Sequence, residues 1–584
     1  MPPDKAIGVK PWSWETIAPR FNERSILSWT TLLVVMWLVL APVVMVVLTS
    51  FQAEPLAHVA VYTIANYLEV YLDPDTYELL SNTLLFGAGA IAVGFFFAFP
   101  LAWLVERTNT PGRNMMYGLI LVPMAIPPMI SALGWERLLD PKIGLINMVL
   151  RGLLGIEGED GPLNIFTLFG MSFVMGLSMV PTVFLILAPS IRNLDPSYED
   201  ASLVSGATWY ATFRRVTLPL VYPAFFAALI WFFIIAIEAF EIPGVIGLQA
   251  GILVFSTKIF WAVHPPTGDL PDYGIASALA AFVLVLSAIL VYFYLKVLGT
   301  GEKYTTITGR GYRPSIVDLG AWRYAGTFFF AGYMILAIVL PIIVLGWGSL
   351  LAYYQPPAWD MVEQLSLENY YTTFDDEDFL SAFWNTGVVV FTAATVTAVI
   401  CTVAAWIVVR FPGRLSSVLN LATFTPIAVP SVIIGLALIL VYLSIPIGLY
   451  GTIWIIAIAH ITRYLSYGSR TMIASQMQIH KELEEASYTC GASFRMTLRK
   501  VIMPILLPAL VSLWLWVALH SIRELSAAVL LASSNNTVIS TLIWTQYHEG
   551  EVGVAYALSM ILIAVSFVIA FAGRRLLSWH DHVR

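Results

Sequence analysis

The chain has 584 residues, 59% of them hydrophobic and 11% charged, with a formal net charge of -7. Soluble domains carry about a quarter charged residues, so a soluble fold cannot bury this much apolar surface and a polytopic membrane protein is expected. The acidic balance leaves no footprint for nucleic acid, and two cysteines, Cys401 in an apolar run and Cys490 in a polar stretch, make no disulfide framework.

A spanning helix needs about 20 apolar residues, and about twelve windows qualify. They are 26–49, 84–105, 115–133, 165–187, 220–246, 275–294, 325–350, 383–409, 419–443, 453–472, 508–530 and 554–572. The first is too long for a signal peptide and no small-residue cleavage site follows promptly, so a retained helix is expected. Basic residues then set sidedness. Lys5, Lys10, Arg20 and Arg24, Arg107 and Arg113, Arg214 and Arg215, Lys296, Lys303, Arg310, Arg313 and Arg323, Arg495, Arg499 and Lys500, and Arg574, Arg575 and Arg584 all fall on one side if there are twelve spans. That side, with both termini, should be cytoplasmic. On the other side, 52–80 and 353–380 are acidic and lack Lys and Arg, as the same rule requires or as a docking surface for an external partner would.

The sequence is duplicated. "NYLEVYLDPDTYELLSNT" (Asn66–Thr83) matches "NYYTTFDDEDFLSAFWNT" (Asn369–Thr386), "TPGR" matches "FPGR", "VPMAIPP" matches "TPIAVPS", and "DYGIASAL" matches "EVGVAYAL". Most of the slack between the copies sits in one external loop, 135–163, which is longer in the first copy. Six spans per copy give both the same orientation, a parallel repeat about an axis along the membrane normal, with the pathway at the repeat interface. The expected organisation is an N-terminal arm (1–25), a first half (26–298), a Gly/Thr-rich basic tether (299–323), a second half (324–575) and a tail (576–584).

Each half carries one polar island: "EDASLVSGATWYATFRRVTLPLVYPAF" from Glu199 and "EEASYTCGASFRMTLRKVIMPILLPAL" from Glu484. Asp195-Pro196 is a helix-start signal, and Glu199, Asp200, Glu484 and Glu485 suit the positive end of a helix dipole. Ala201 and Ala486 permit close approach, and Gly206 and Gly491 interrupt each helix. Pro219 and Pro504 are expected to turn the chain into the next span. Each island should be helix, glycine turn, helix, at the cytoplasmic face. One copy alone reads equally well as an interfacial amphipathic helix, whereas two copies at matched spacing point to a selected surface.

The pattern E-[DE]-A-S-x(3)-G-A resembles the EAA loop of type I ABC importer permeases, at about 195–220 and 480–505, and two copies in one chain resemble the fused permeases of the ferric-iron group. "TRYLSYGSRTM" (Thr462–Met472), "YGIASAL" and "VGVAYAL" are similar to that group as well. Thiamine and phosphonate permeases share much of the pattern, and polyamine is a further alternative. The resemblance implies an all-α polytopic fold of two tandem six-helix repeats in the inner membrane of a bacterium. It implies alternating access driven by two ATPase subunits in trans, a periplasmic or extracellular substrate-binding protein as partner, and coupling through Glu199, Asp200, Ala201, Gly206, Glu484, Glu485, Ala486 and Gly491. The motif's own Glu-Ala-Ala falls on Asp200-Ala201-Ser202 and Glu485-Ala486-Ser487, so Asp replaces Glu once and Ser replaces the second Ala twice. No G-x-x-x-x-G-K-[ST] loop is present in the chain, so ATP and Mg belong to the partner and no cofactor is expected here.

Charges inside spans are functional candidates because burying them is costly. These are Glu238 and Glu241 in "IEAFEIPG", Arg523 and Glu524 in "HSIRELSA", and His460 and Arg463, which share a helix face. The repeat sets Glu238 and Arg523 at equivalent positions, suggesting a pair across the pseudo-twofold axis. Interhelical contact, a gate pair and substrate ligation all remain open. No strong metal motif is seen, and His580 and His582 read as a solvated tail. An ion-coupled secondary transporter is the rival class; it explains the duplication and the buried carboxylates but not two glycine-broken islands on one face. A membrane scaffold or sensor would want a soluble signalling domain, and none is seen.

Overall fold

The computed structural model describes residues 23–301 and 316–582 apart from His58, Ala358 and Pro446. Lys5, Lys10, Arg20, Lys303, Arg310, Arg313 and Arg584 lie outside the described residues. Ten helical elements repeat in order. The first half holds α1 (Glu23–Ser50), α2 (Pro74–Arg107), α3 (Arg113–Ala125), α4 (Pro128–Leu139), α5 (Leu168–Arg192), α6 (Pro196–Val204), α7 (Tyr210–Glu238), α8 (Pro243–Ala250), α9 (Phe255–Val263) and α10 (Tyr273–Gly301). The second holds α11 (Gly320–Ser349), α12 (Glu377–Arg410), α13 (Arg414–Ala428), α14 (Ser431–Ser444), α15 (Ile453–Met477), α16 (Lys481–Thr489), α17 (Leu498–Ser521), α18 (Ser526–Leu531), α19 (Ile539–Glu549) and α20 (Val552–His582).

The matched sequence pairs perform matched jobs. Asp73 and Asp376 each cap a long helix by accepting the N–H two residues on, at 3.0 and 2.9 Å. Asn66 donates to the Ser50 and Gln52 carbonyls, closing the end of α1, and Asn369 does the same to Ser349 and Leu351 after α11. Gly274 and Gly553 leave room for these amides, since a Cβ there would come within 2.8 and 2.7 Å of them. Thr83 and Thr386 each accept the first N–H of a short helix, α9 and α19, from Phe255 and Ile539.

Within each half a parallel pair forms the centre: α2 with α5, and α12 with α15. A constant separation of 86 residues links Ser172 to the Phe86 carbonyl and Arg192 to Glu106, so α2 and α5 run in the same direction. Small residues let these backbones close. A Cβ on Gly176 would sit 2.7 Å from the Ala90 carbonyl oxygen, and one on Gly468 would sit 2.7 Å from Cys401 Sγ. Without a hydrophobic drive between helices in lipid, such close packing is a main source of cohesion. The first helix of each half also crosses to the other. Helix α1 packs on α10 and on α13–α14, and α11 packs on α20 and on α4. Trp37 Nε1 donates to Tyr442 Oη at 3.4 Å.

Five expected spans differ, one of them the tenth, 453–472, which forms as α15 but is not among the helices apolar enough to cross a membrane. Among the described residues nine helices are long and apolar enough to cross a membrane, while α3–α4, α8–α9 and α13–α14 are bent by 91°, 83° and 111°. The expected third and ninth spans are the first and last of these. Pro127, Pro128 and Pro430 break them, because proline lacks the N–H that the helix needs. The expected fifth span ends at Glu238 rather than running to Ile246, since a helix continuing to Pro243 would press its ring on the Ala239 carbonyl. The expected eleventh ends at Ser521. Glu524 accepts the Ala527 N–H at 3.1 Å and starts a new helix instead.

A bulky residue at Gly176 should separate α2 from α5. Overpacking of this kind costs about 1–3 kcal/mol. We expect Gly176→Val to lower the melting temperature of the purified protein, and Gly387→Ala, whose Cβ would meet nothing within 4 Å, to leave it unchanged. Thermal unfolding followed by size-exclusion chromatography reads both.

Candidate functional site

Three polar constructions stand out: two sockets on the basic face, a broken-helix centre, and a cluster toward the opposite face.

Each socket holds one island helix. Asp195 caps α6 by accepting the Ser197 N–H at 2.9 Å, which holds its carboxyl below the ordinary range. That contribution is present at neutral pH and is lost as pH falls through the lowered value. Arg107, 1% exposed at the end of α2, pairs with Glu199, whose other oxygen accepts from Thr217 at 2.6 Å. In the second half Arg410, at the end of α12, pairs with Glu484 at 2.5 Å and donates to the Ile479 carbonyl at 2.9 Å. Glu199 and Glu484 therefore face inward, while Asp200, Ala201, Glu485 and Ala486 are exposed.

The two serines that depart from the motif have a role. Ser202 bonds Thr212 and Ser487 bonds Thr497 across the turn, at 2.8 and 2.9 Å. Gly206 and Gly491 sit between these arms at φ +87° and +82°. Their N–H groups return to Leu203 and Tyr488, and the next N–H groups to Ser202 and Ser487, a Schellman closure that favours glycine. Pro219 and Pro504 do not turn the chain as expected. Helices α7 and α17 run through them, because wide π turns at Phe213–Thr217 and Leu498–Ile502 precede each proline and absorb its clash.

In the centre the expected pairing of Glu238 with Arg523 does not form. Twofold-related positions meet only on the axis, and Glu238 instead meets Arg463 of α15 in the other half. Arg463 also donates to the Val429 carbonyl at 3.2 Å, and Arg523 donates to the Met124 carbonyl. Both carbonyls belong to the bends of α3–α4 and α13–α14. His460 Nε2 lies 3.2 Å from Glu524, and its Nδ1 contacts Ser521 Oγ at 2.6 Å. Glu241 and Arg523 are half-buried. The six candidates thus split into an interhalf pair, Glu238–Arg463, a pair within the second half, His460–Glu524, and Arg523 and Glu241 beside them. Among the described residues no group of three or more His, Cys, Asp or Glu could hold a metal ion.

The third construction was not anticipated. Glu136, on α4, accepts from Tyr547 Oη of α19, and Gln249 of α8 donates to the same oxygen. Arg137 donates to Tyr556 Oη of α20 at 2.5 Å and lies over the Tyr354 ring at 5.2 Å. Trp544 of α19 sits where a Cβ on Gly244 would be, 2.8 Å away, and 5.2 Å from the Phe240 ring. The two halves are latched here by one half's charges and the other's phenols. The available signal is the charged pair in "LGWERLL", which lies beyond the expected span 115–133, in the external loop 135–163.

Two parallel bundles, their paired sockets and a polar centre define a duplicated importer permease. The chain belongs to the family of binding-protein-dependent transport system inner membrane components, whose model matches residues 90–299 and again 394–578. It is similar to the ferric transport system permease protein FbpB of Actinobacillus pleuropneumoniae, with 27% identity over 530 residues, 87% of this chain and 74% of that protein. It is similar also to the Fe(3+)-transport system permease protein FbpB 2 of Haemophilus influenzae, with 26% identity over 511 residues, 86% of this chain and 91% of that one. A solved bacterial alginate ABC transporter in complex with a pentasaccharide-bound periplasmic protein has a chain similar to 44% of this one, at 17% identity and a TM-score of 0.37, with 94% of that chain covered. The protein is a multi-pass membrane permease of an ABC importer, a family that works with an ATPase and a substrate-binding protein.

Removing one partner of a buried pair costs about 3–5 kcal/mol. Arg410→Gln should therefore free α16, seen as faster amide hydrogen exchange over 481–489, with Arg410→Lys intermediate. Unchanged exchange would show that the ion pair does not hold the helix.

Proposed function

We infer that this chain carries ferric iron inward through the interface of its two halves. The observation that carries the reading is similarity over more than four-fifths of the chain to permeases named for ferric transport. The centre itself does not select the cargo: Glu238 is paired with Arg463 and Glu524 with His460. In this reading the basic face is cytoplasmic, and one copy of an ATPase docks on each of α6 and α16. ATP and Mg are used there, in trans. The exposed residues Asp200, Ala201, Glu485 and Ala486 meet the ATPase, while Glu199 and Glu484 transmit the load to α2 and α12 through their arginines. Glu238–Arg463 closes the centre, and the binding protein delivers cargo at the opposite, acidic face.

Two experiments test this. The complex is purified with its binding protein, whose ligand is identified by metal analysis and mass spectrometry. Iron is expected; thiamine, a phosphonate or a polyamine would overturn the cargo and leave the permease role intact. Gly206→Val combined with Gly491→Val places β-branched residues in a left-handed conformation that costs roughly 1–2 kcal/mol each. Uptake should be lost while membrane insertion persists. Normal uptake in the double variant would remove the two turns from the coupling path.

A further inference from the structure

The long loop of the first half is a built object. Between α4 and α5 lies a ten-residue helix, Leu145–Leu154, closed by Gly155 in the left-handed region. It has no counterpart among the matched elements of the second half. Two polar side chains fix it. Asn147, fully buried, donates to the carbonyls of Leu139, Asp140 and Leu163 and accepts the Leu163 N–H. Arg151 donates to the carbonyls of Lys142, Gly158 and Glu159.

What this scaffold presents outward is apolar. Val149, Leu153 and Leu154 are 54%, 77% and 64% exposed, with Met148 and Ile156 beside them. Further exposed apolar side chains follow in the chain. Leu163 is pinned to the helix by Asn147 and is itself exposed, and Phe169, at the start of spanning helix α5, is 72% exposed. The charged residues Glu157, Glu159 and Asp160 are exposed in the turn after the helix and Lys142 in the turn before it, none of them within Leu145–Leu154.

We propose that Leu145–Leu154 is an interfacial helix whose face of Val149, Leu153 and Leu154 is seated in the phospholipid of the leaflet opposite the coupling helices. A helix this short cannot span, but its apolar side can lie about 5–10 Å into the boundary between headgroups and acyl chains. Lipid suits the face better than a protein partner does. A binding protein comes and goes, and between visits a rigid apolar face of this kind would stand in water. Lipid covers it continuously and meets no charge on it. The seat also has a mechanical result. The helix is tied to Leu139 and Asp140 at the end of α4, and α4 carries Glu136 and Arg137. Membrane attachment therefore anchors the first-half side of the latch.

The test uses the intact permease with its ATPase in phosphatidylcholine nanodiscs. In a Cys401→Ala, Cys490→Ser background, Val149→Cys, Leu153→Cys and Glu159→Cys are each labelled with a nitroxide. Collision with oxygen is compared with collision with a water-soluble nickel chelate. Positions 149 and 153 should favour oxygen, as a label at Phe169→Cys does, and position 159 should favour nickel. Water-like accessibility at 149 and 153, equal to that at 159, would overturn the proposal. So would water-like accessibility that becomes protected only when substrate-loaded binding protein is added, which would make this a protein-docking face.

Discussion

A backbone that leaves the helix inside a bilayer must find its hydrogen-bond partners within the protein, because hydrocarbon supplies none. Much of this structure answers that constraint. Prolines open α3–α4 and α13–α14, and the carbonyls of Met124 and Val429 are taken by Arg523 and Arg463. The breaks after α7 and α17 are closed in the same way: Ser256 donates to the Ala239 carbonyl and Ser540 to that of Glu524, at 2.7 and 2.9 Å. The guanidinium groups that satisfy the bends are then available to carboxylates. Charge at the centre is a product of broken helices, and broken helices at a repeat interface are where transporters place their pathways.

The same logic accounts for which half contacts which. Arg463 joins its own bend to the other half's Glu238, and Arg523 reaches across to the other half's bend. Toward the opposite face, Tyr547 and Tyr556 reach back to Glu136 and Arg137. Each junction consists of a few directional bonds between otherwise apolar bundles. Such junctions hold two discrete arrangements better than a smooth apolar interface, since a satisfied polar contact is costly to leave half made. The repeat is nevertheless unequal. At the positions of Glu136 and Arg137 the second half has Ile439 and Leu440, so the latch exists once.

The duplication, the helix class and the two islands were legible because they rest on local signals: apolar length, Asp caps, glycine turns and repeated strings. Asn66 and Asn369 were visible as matched letters, although their capping of α1 and α11 was not. What was hidden depends on the meeting of distant segments. Arg107 marks a membrane side, yet it anchors Glu199; Arg410, one residue past the expected span 383–409, carries no role in the sequence reading, yet it anchors Glu484. Their shared place, at the end of equivalent helices before "TPGR" and "FPGR", was the available clue. Equivalence in sequence misled once. It placed Glu238 and Arg523 together, whereas symmetry relates residues without bringing them into contact.

One small contact ties the fusion itself to the sockets. Val317, within the tether, donates its N–H to the Arg107 carbonyl at 2.7 Å and accepts from the Asn109 N–H at 3.2 Å. Asn109 in turn accepts the Leu319 N–H and donates to Asp318, two residues before α11 begins. Gly326 of α11 lies close against Thr110. A tug on α6 is thus felt at once by Arg107, by the tether and by the leading helix of the other half. At the second socket Arg410 bonds Glu484 and Ile479, both within its own half. Equal pulls on the two handles would work against springs of different stiffness.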